Sequence, residues 1–296
     1  MTAIGFVGFG EVASRFGEAL AQGGAQVLAY DVLLDRADGG QVLAGRVRGT
    51  APEFVPLPQL LQKADIVLST VTTDVALAAA RNCAPHLRRG QAFVDLNATS
   101  PALKREVAAV VAPTGADFVE GAILPAVGVM GAKSQVLVCG AQAARIAQVL
   151  NAAGLNFSPY GEEIGRASSF KMMRSIFSKG LEALLVECLL AGRRVGVGDD
   201  LWREIVATLD ATSFEEVGGN WVRTHGTAHA RRYHEMVQVE QLLRDLGIDA
   251  PMTKATVALF ERSTRVGLRD AFPAAPKAHA DVIAALEQRL AANPKP

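Results

Sequence analysis

Two groups of residues in this 296-residue chain have the types and spacing to do chemistry. The first is Gly8-Phe9-Gly10-Glu11-Val12-Ala13, a G-x-G-x-x-A turn that follows the short apolar run 4–7. A helical pattern with Phe16 and Leu20 comes next. Gly8 permits a tight turn, Gly10 lets backbone approach a pyrophosphate, and Ala13 is small enough for the helix to pack on the strand. The free N–H groups and positive dipole end of that helix favour phosphate. The second group is Lys171 with Arg174, Ser175, Ser178 and Glu182, which share a narrow polar stripe at about 100° per residue. A lysine has a free pKa of about 10.4, too high for a base near neutrality. In a cleft, desolvation and a neighbouring cation such as Arg174 lower it. The neutral amine then takes a hydroxyl proton while hydride leaves the same carbon, and the ammonium form returns it to a carbonyl in the reverse direction. A solvated surface lysine is the plainer alternative.

The segment 26–30 reads as a second strand with Asp31 at its end, twenty-one positions after Gly10. An acid there bonds the adenosine ribose hydroxyls and repels a 2′-phosphate, which favours NAD. Arg36 keeps NADP open, because it meets a phosphate if its loop folds back. Asp31 as a simple turn residue after a strand is the alternative.

These residues need a scaffold, and the pattern supplies one. Strand-like runs recur at 4–7, 26–30, 66–70, 92–95, 117–119 and 135–139, with helical segments such as 74–84, 101–111 and 141–151 between them. That alternation predicts an α/β fold, a Rossmann-type doubly wound parallel sheet followed by an all-α helical domain. Ligands in such sheets bind beyond the carboxyl ends of the strands. Asp31, Thr70 to Thr72, Asp95 to Thr99 and Glu120 to Pro125 all stand at such ends. The expected cofactor set is therefore Gly8, Phe9, Gly10, Glu11, Val12, Asp31, Thr70, Val71, Thr72 and Asn97. Past residue 160 helical patterns dominate, at 168–195, 199–209, 230–246, 252–266 and 279–292. We divide the chain into an NAD(P)-binding domain over 1–160 and a helical substrate and dimerisation domain over 161–296. The narrow stripe around Lys171 implies a helix buried on most sides, with one edge on a wet cleft. The tail 292–296 is expected to fray.

Composition narrows the partners. Thirty basic and thirty acidic residues cancel, leaving no electrostatic footprint for nucleic acid or an anionic membrane. No uncharged apolar stretch approaches the roughly 20 residues of a membrane span. Three cysteines without a C-x-x-C pair, and no basic segment before the first apolar run, predict a reduced, cytoplasmic protein. His, Cys and acids show no ligand spacing for a metal such as zinc. A small-molecule substrate is the expected partner.

The segment Gly165-Arg-Ala-Ser-Ser-Phe-Lys171-Met-Met-Arg-Ser175 resembles the G-x-G-x-x-x-K-x-x-N/H-N segment of the β-hydroxyacid dehydrogenases, which include 3-hydroxyisobutyrate and 6-phosphogluconate dehydrogenases. The order Gly8–Ala13, Asp95–Pro101, Phe118–Gly121 and Lys171 also matches that family over most of the chain. Asp95-Leu-Asn-Ala-Thr-Ser-Pro101 resembles its D-x-S-T-x-x-P loop, with Asn97 and Ala98 in place of Ser-Thr. Glu120-Gly-Ala-Ile-Leu-Pro125 stands where the family has the substrate loop D-x-P-V-S-G-G, without its serine. The resemblance implies that Lys171 is the acid/base residue and that Ser175 takes the place of an orienting asparagine. It implies that Arg174 is positioned to bind a carboxylate or phosphate, and that Asn97, Gly121 and Ala122 contact substrate. His234 falls where members carry a substrate-contacting lysine, with Arg231 just before it. A homodimer through the helical domain is implied as well. The segment Lys171–Glu182 resembles a divergent subgroup with a 6-phosphogluconate-dehydrogenase-like C-terminal domain. True 6-phosphogluconate dehydrogenase is disfavoured, being much longer and carrying a glutamate where Ser178 stands.

The expected function is hydride transfer between NAD(P) and a small β-hydroxy acid or related alcohol. The apolar Ile123-Leu124-Pro125 suggests a substrate less polar than a sugar acid. Imine reduction occurs on the same architecture, but those members usually lack the lysine. A non-catalytic nucleotide sensor is the reading from another class.

Overall fold

The computed structural model describes residues 2–124 and 127–293. The chain divides into two compact units, Met1–Ile176 and Phe177–Pro296. The first holds eight strands: β1 (Ala3–Val7), β2 (Gln26–Tyr30), β3 (Glu53–Phe54), β4 (Ile66–Ser69), β5 (Ala92–Asp95), β6 (Asp117–Leu124), β7 (Gln135–Cys139) and β8 (Asn156–Gly161). Its helices are α1 (Glu11–Gln22), α2 (Gly39–Ala44), α3 (Leu57–Lys63), α4 (Ala76–Cys83), α5 (Pro101–Val111), α6 (Val127–Met130) and α7 (Ala143–Ala152). A 29-residue helix, α8 (Arg166–Arg194), begins in this unit and ends in the next. The second unit adds α9 (Gly198–Asp210), α10 (Phe214–Asp245), α11 (Pro251–Arg265) and α12 (His279–Ala292).

The strands form one sheet in the order β3-β2-β1-β4-β5-β6-β7-β8. Its parallel part explains the apolar runs. Ile4 and Phe6 of β1, Val27 and Ala29 of β2, and Ile66 and Leu68 of β4 point to one face, where Phe16 and Leu20 of α1 cover them. Ala3, Val7, Leu28, Val67 and Phe93 point to the other, against Leu60 and Leu61 of α3 and Val107 of α5. A strand covered on both faces has no reason to alternate polar and apolar residues.

The sheet is mostly parallel and Rossmann-like, as expected, and a helical region follows it; two details differ. It is not parallel throughout: β6 and β7 run antiparallel, with Gly121 opposite Val138. Residues 120–124 are the second half of β6, not a loop after a strand at 117–119. Glu120 and Gly121 break the apolar run and hide its continuation, although both are buried. Pro125, expected in the same loop, lies outside the described residues, as do 294–296 of the tail. The edge strands β3 and β8 carry no strong pattern. β3 has two residues, and β8 contains Pro159, which an edge tolerates because it lacks a ladder donor.

In the second unit α10 starts sixteen residues before the expected 230. The Ser213 hydroxyl accepts from the Glu216 N–H at 3.2 Å and caps it. Gly218, Gly219 and Gly226 mask the helical pattern in between. Gly226 is there for close approach: an added Cβ would stand 2.9 Å from the Pro276 ring. The apolar side of α8 is not buried within one chain. Met173, Ile176, Phe177, Leu184 and Leu190 are all exposed, Ile176 at 69%. On its polar stripe Lys171, Ser175 and Ser178 are half-buried, whereas Arg174 and Glu182 are exposed.

Candidate active site

The glycine turn closes β1 onto α1, and its geometry follows from its residues. Gly8 has φ of 89°, a conformation that favours glycine, and an added Cβ would meet the Thr70 carbonyl at 2.8 Å. The Gly8 N–H donates to the Tyr30 carbonyl at 2.8 Å, and the Thr70 hydroxyl donates to the Gly8 carbonyl at 2.7 Å. Asp31 follows β2 and accepts from the Phe9 N–H through Oδ2 at 2.8 Å and from the Leu33 N–H through Oδ1 at 3.0 Å. The carboxylate thus welds the turn to the end of β2.

Gly8, Phe9, Gly10, Asp31, Thr70, Val71 and Thr72 line one cavity of about 580 Å³ together with Tyr30, Arg46 and Asn82. Burial, followed by the nearby Asp35 and Asp31 carboxylates, pushes the Tyr30 phenol above its ordinary value and keeps it neutral. The residues present fit a dinucleotide. A Cβ added at Gly10 would enter open space, which leaves that backbone accessible to a pyrophosphate at the start of α1. Glu11 and Val12 stand apart from this cavity. Glu11 begins α1 and faces Arg15 at 3.7 Å, and Val12 packs against the core. Arg36, the cation expected to bear on a 2′-phosphate, is paired with Asp38 at 3.2 Å.

Asn97 follows β5 and is buried. Its Nδ2 donates to Asp95 Oδ1 at 2.6 Å and to the Ser69 hydroxyl at 2.9 Å. Its Oδ1, and Oγ1 of nearby Thr99, are buried without a hydrogen-bond partner among the described residues. Buried polar atoms are nearly always paired, so an orphaned acceptor at a strand end marks a place for a ligand donor.

A fully buried lysine holds this loop. Lys104 Nζ on α5 stands 3.2 Å from Asp95 Oδ2 and donates to the carbonyls of Asp95 at 2.8 Å and Gly121 at 3.3 Å. Burial pushes the ammonium below its ordinary value, and the Asp95 carboxylate opposes that shift. Breaking such a pair by removing one partner typically costs about 3–5 kcal/mol. Gly121 and Ala122, expected to offer backbone contacts to substrate, are buried in β6, where the Gly121 carbonyl is already engaged by Lys104.

The helix that carries Lys171 is anchored from the same strand. The buried Glu120 side chain of β6 accepts from the Gly165 N–H and, at 2.6 Å, from the Ser168 N–H. It thereby caps the start of α8. Lys171 is three residues beyond Ser168, about 4.5 Å further along the axis. The Ser175 hydroxyl donates to the Lys171 carbonyl at 2.9 Å, and Arg174 is exposed. Arg231 and His234 belong to α10 in the second unit. Arg231 is paired with Glu235, and His234 is exposed beside the Tyr233 ring at 5.2 Å.

The anchoring roles of three residues escape a reading of the sequence. Glu120 looks like part of a loop, although a lone carboxylate inside an apolar run is a signal of a buried acceptor. Lys104 shares a helical face with Val107 and Val111, and that spacing could have exposed it as buried. Arg46 lies fifteen positions beyond Asp31, with nothing local to connect the two.

The chain is similar in sequence and in fold to known proteins. The family described as the NAD binding domain of 6-phosphogluconate dehydrogenase matches residues 3–161. A domain family of unknown function, DUF1932, matches residues 193–263. A solved structure of a conserved protein of unknown function, reported as structurally similar to 3-hydroxyacid dehydrogenases, is 31% identical. It covers 90% of this chain and 98% of its own, with a TM-score of 0.58. Human mitochondrial 3-hydroxyisobutyrate dehydrogenase is 22% identical over 87% of this chain and 78% of its own length. A reductive aminase from Aspergillus terreus, solved with NADPH and ethyl levulinate, is 15% identical and shares the fold, with a TM-score of 0.75 over 96% of this chain and 99% of its own.

Proposed function

The chain belongs to the β-hydroxyacid dehydrogenase family of NAD(P)-dependent oxidoreductases, and on that premise we propose that it interconverts a small β-hydroxy acid or related alcohol and its carbonyl, with Lys171 as general acid/base. The observation that carries this reading is the shared anchor. Glu120 holds the start of the lysine helix, and its neighbour Gly121 is bonded to the lysine that also holds the Asn97 loop. A proton-transfer group must be held within hydrogen-bond reach of its target, so a rigid mount for Lys171 is what the chemistry requires.

When bound, the dinucleotide supplies the hydride acceptor or donor. The remaining steps belong to the chain. The start of α1 at Gly10 offers backbone N–H groups to the pyrophosphate, and Asp31 meets the adenosine ribose, which favours NAD. Asn97 Oδ1 accepts from an amide or hydroxyl at the reacting end. Lys171 removes the substrate hydroxyl proton and returns it in reverse, while Arg174 offers a guanidinium to a substrate carboxylate. Ser175 orients the substrate once its hydroxyl turns from the helix carbonyl.

We place the protein in the cytoplasm as a homodimer joined through the helical unit. Three unpaired cysteines suit a reducing compartment, and no helix among the described residues is long and apolar enough to cross a membrane. The exposed apolar side of α8 supports self-association.

The test is a panel of small 3-hydroxy acids, alkyl and aryl β-hydroxy compounds, and cyclic imines, each assayed with NAD(H) and NADP(H) by nicotinamide absorbance. Turnover of a hydroxy compound is the expected result. Turnover of imines alone would replace the alcohol reading with imine reduction. Tight dinucleotide binding with no turnover across the panel would favour a nucleotide sensor.

A further inference from the structure

Among the described residues that line the dinucleotide cavity, Arg46 is the one cation. It reaches the glycine turn from the segment after α2. Its Nη1 donates to the Phe9 carbonyl at 3.0 Å and stands 3.9 Å from Asp31 Oδ2. Its own carbonyl accepts from the Ser14 hydroxyl of α1, so both its backbone and its side chain are tied to the turn and its helix. On its other side lies a second hollow of about 620 Å³, lined by Gly10, Glu11, Ser14, Gly45, Arg46, Val47 and Arg48. Two guanidinium-bearing residues therefore line the space beside the start of α1, against one carboxylate, Glu11, which faces Arg15 at 3.7 Å.

An isolated carboxylate after β2 rejects a 2′-phosphate by repulsion and by leaving it without donors. Both conditions are relaxed here. Both Asp31 oxygens already accept backbone N–H groups, and a guanidinium stands beside the same carboxylate. Only one Arg46 nitrogen is committed to Phe9, and a guanidinium has five N–H donors in a planar fork suited to phosphate. The side chain is 42% exposed, so those donors are open to a ligand.

We propose that Arg46 is a specificity-determining residue that offsets Asp31 and seats the 2′-phosphate of NADP, so that this protein accepts both nicotinamide dinucleotides. The proposal rests on the reading of this cavity as the dinucleotide site, and it replaces Arg36 as the cation that bears on the choice.

The test is calorimetric titration of the full chain, native and Arg46→Ala, with NAD and NADP. Adenosine 2′,5′-bisphosphate and 5′-AMP serve as probes of the adenosine end alone. In the native protein the two dinucleotides are expected to bind within about tenfold of each other, a difference of about 1.4 kcal/mol. Arg46→Ala should weaken NADP and the bisphosphate by at least about tenfold while NAD and 5′-AMP change by less than about threefold. Arg46→Lys, which keeps the charge and loses the fork, should recover part of the NADP affinity. Native NADP binding about a hundredfold or more below NAD would overturn the inference and leave the cavity assignment standing. Equal weakening of all four ligands in Arg46→Ala would also overturn it, because Arg46 would then support only the turn or the pyrophosphate. Failure of every ligand to bind the native protein would overturn the cavity assignment along with it.

Discussion

Glu120 shows how one side chain can set the position of a helix, here the one that carries the proposed acid/base Lys171. A helix begins with N–H groups that have no partner in the helix itself, and a carboxylate placed there is favoured by both hydrogen bonding and the dipole. Here the carboxylate comes from β6, so the start of α8 cannot shift without breaking two buried bonds. Glu120→Gln retains the shape but loses the charge and turns an amide toward a backbone N–H. We expect it to cost about 2 kcal/mol of stability. Urea unfolding of native and variant protein measures this, and turnover should fall while dinucleotide affinity is kept. Equal unfolding midpoints would show that the cap contributes little. Asp31 has a comparable double role, since it both lines the cavity proposed for the dinucleotide and accepts the Phe9 N–H. Asp31→Ala should therefore weaken NAD binding and narrow its advantage over NADP, as read by titration. Unchanged affinity for both would remove Asp31 from the cofactor site.

Among the elements, the helical unit is joined by buried polar groups as much as by apolar packing. The Glu187 carboxylate of α8 caps α11 by accepting the N–H groups of Met252 and Thr253, both at 2.8 Å. Between α10 and α11, His225 Nε2 meets the Ser263 hydroxyl at 2.9 Å, with the His229 and Phe260 rings beside it. Burial first, then His229, Arg232 and Arg262, push the His225 imidazole down to about 4. An unfolded histidine titrates near 6.5. Above that value both states are neutral and the site has its full stability. As pH falls from about 6.5 toward 4 the unfolded chain takes up the proton first, and on the order of 3 kcal/mol is lost. Denaturation midpoints at pH 7 and pH 5 should differ more in the native protein than in His225→Gln. An identical pH response in the two would exclude His225 as the source.

The elements also show what the sequence could reveal. The central strands and the helices 101–111 and 279–292 were legible because their apolar periodicity reflects which face is covered. β8 and the first half of α10 were not, since an edge strand and a glycine-bearing helix have weak local patterns. The glycine turn and Asp31 could be placed together from spacing alone. Glu120, Lys104 and Arg46 act across 45, 17 and 37 positions, and such contacts exist only once the sheet has formed.

For the whole molecule, the exposed apolar side of α8 is the feature a single chain leaves unexplained. Ile176, Phe177 and Leu190 are each more than half exposed. We expect sedimentation velocity to give a particle of twice the 31.2 kDa chain. Ile176→Glu should weaken that dimer by at least about tenfold. A monomer at micromolar concentration would refute the self-association reading.

The central claim, a lysine-dependent hydride transfer on this scaffold, is tested most directly by Lys171→Ala, with turnover and dinucleotide affinity measured on the same preparation. Turnover reduced by about 10²–10⁴-fold with affinity unchanged is the predicted result. Turnover that survives the substitution, with the dinucleotide still bound, would contradict it.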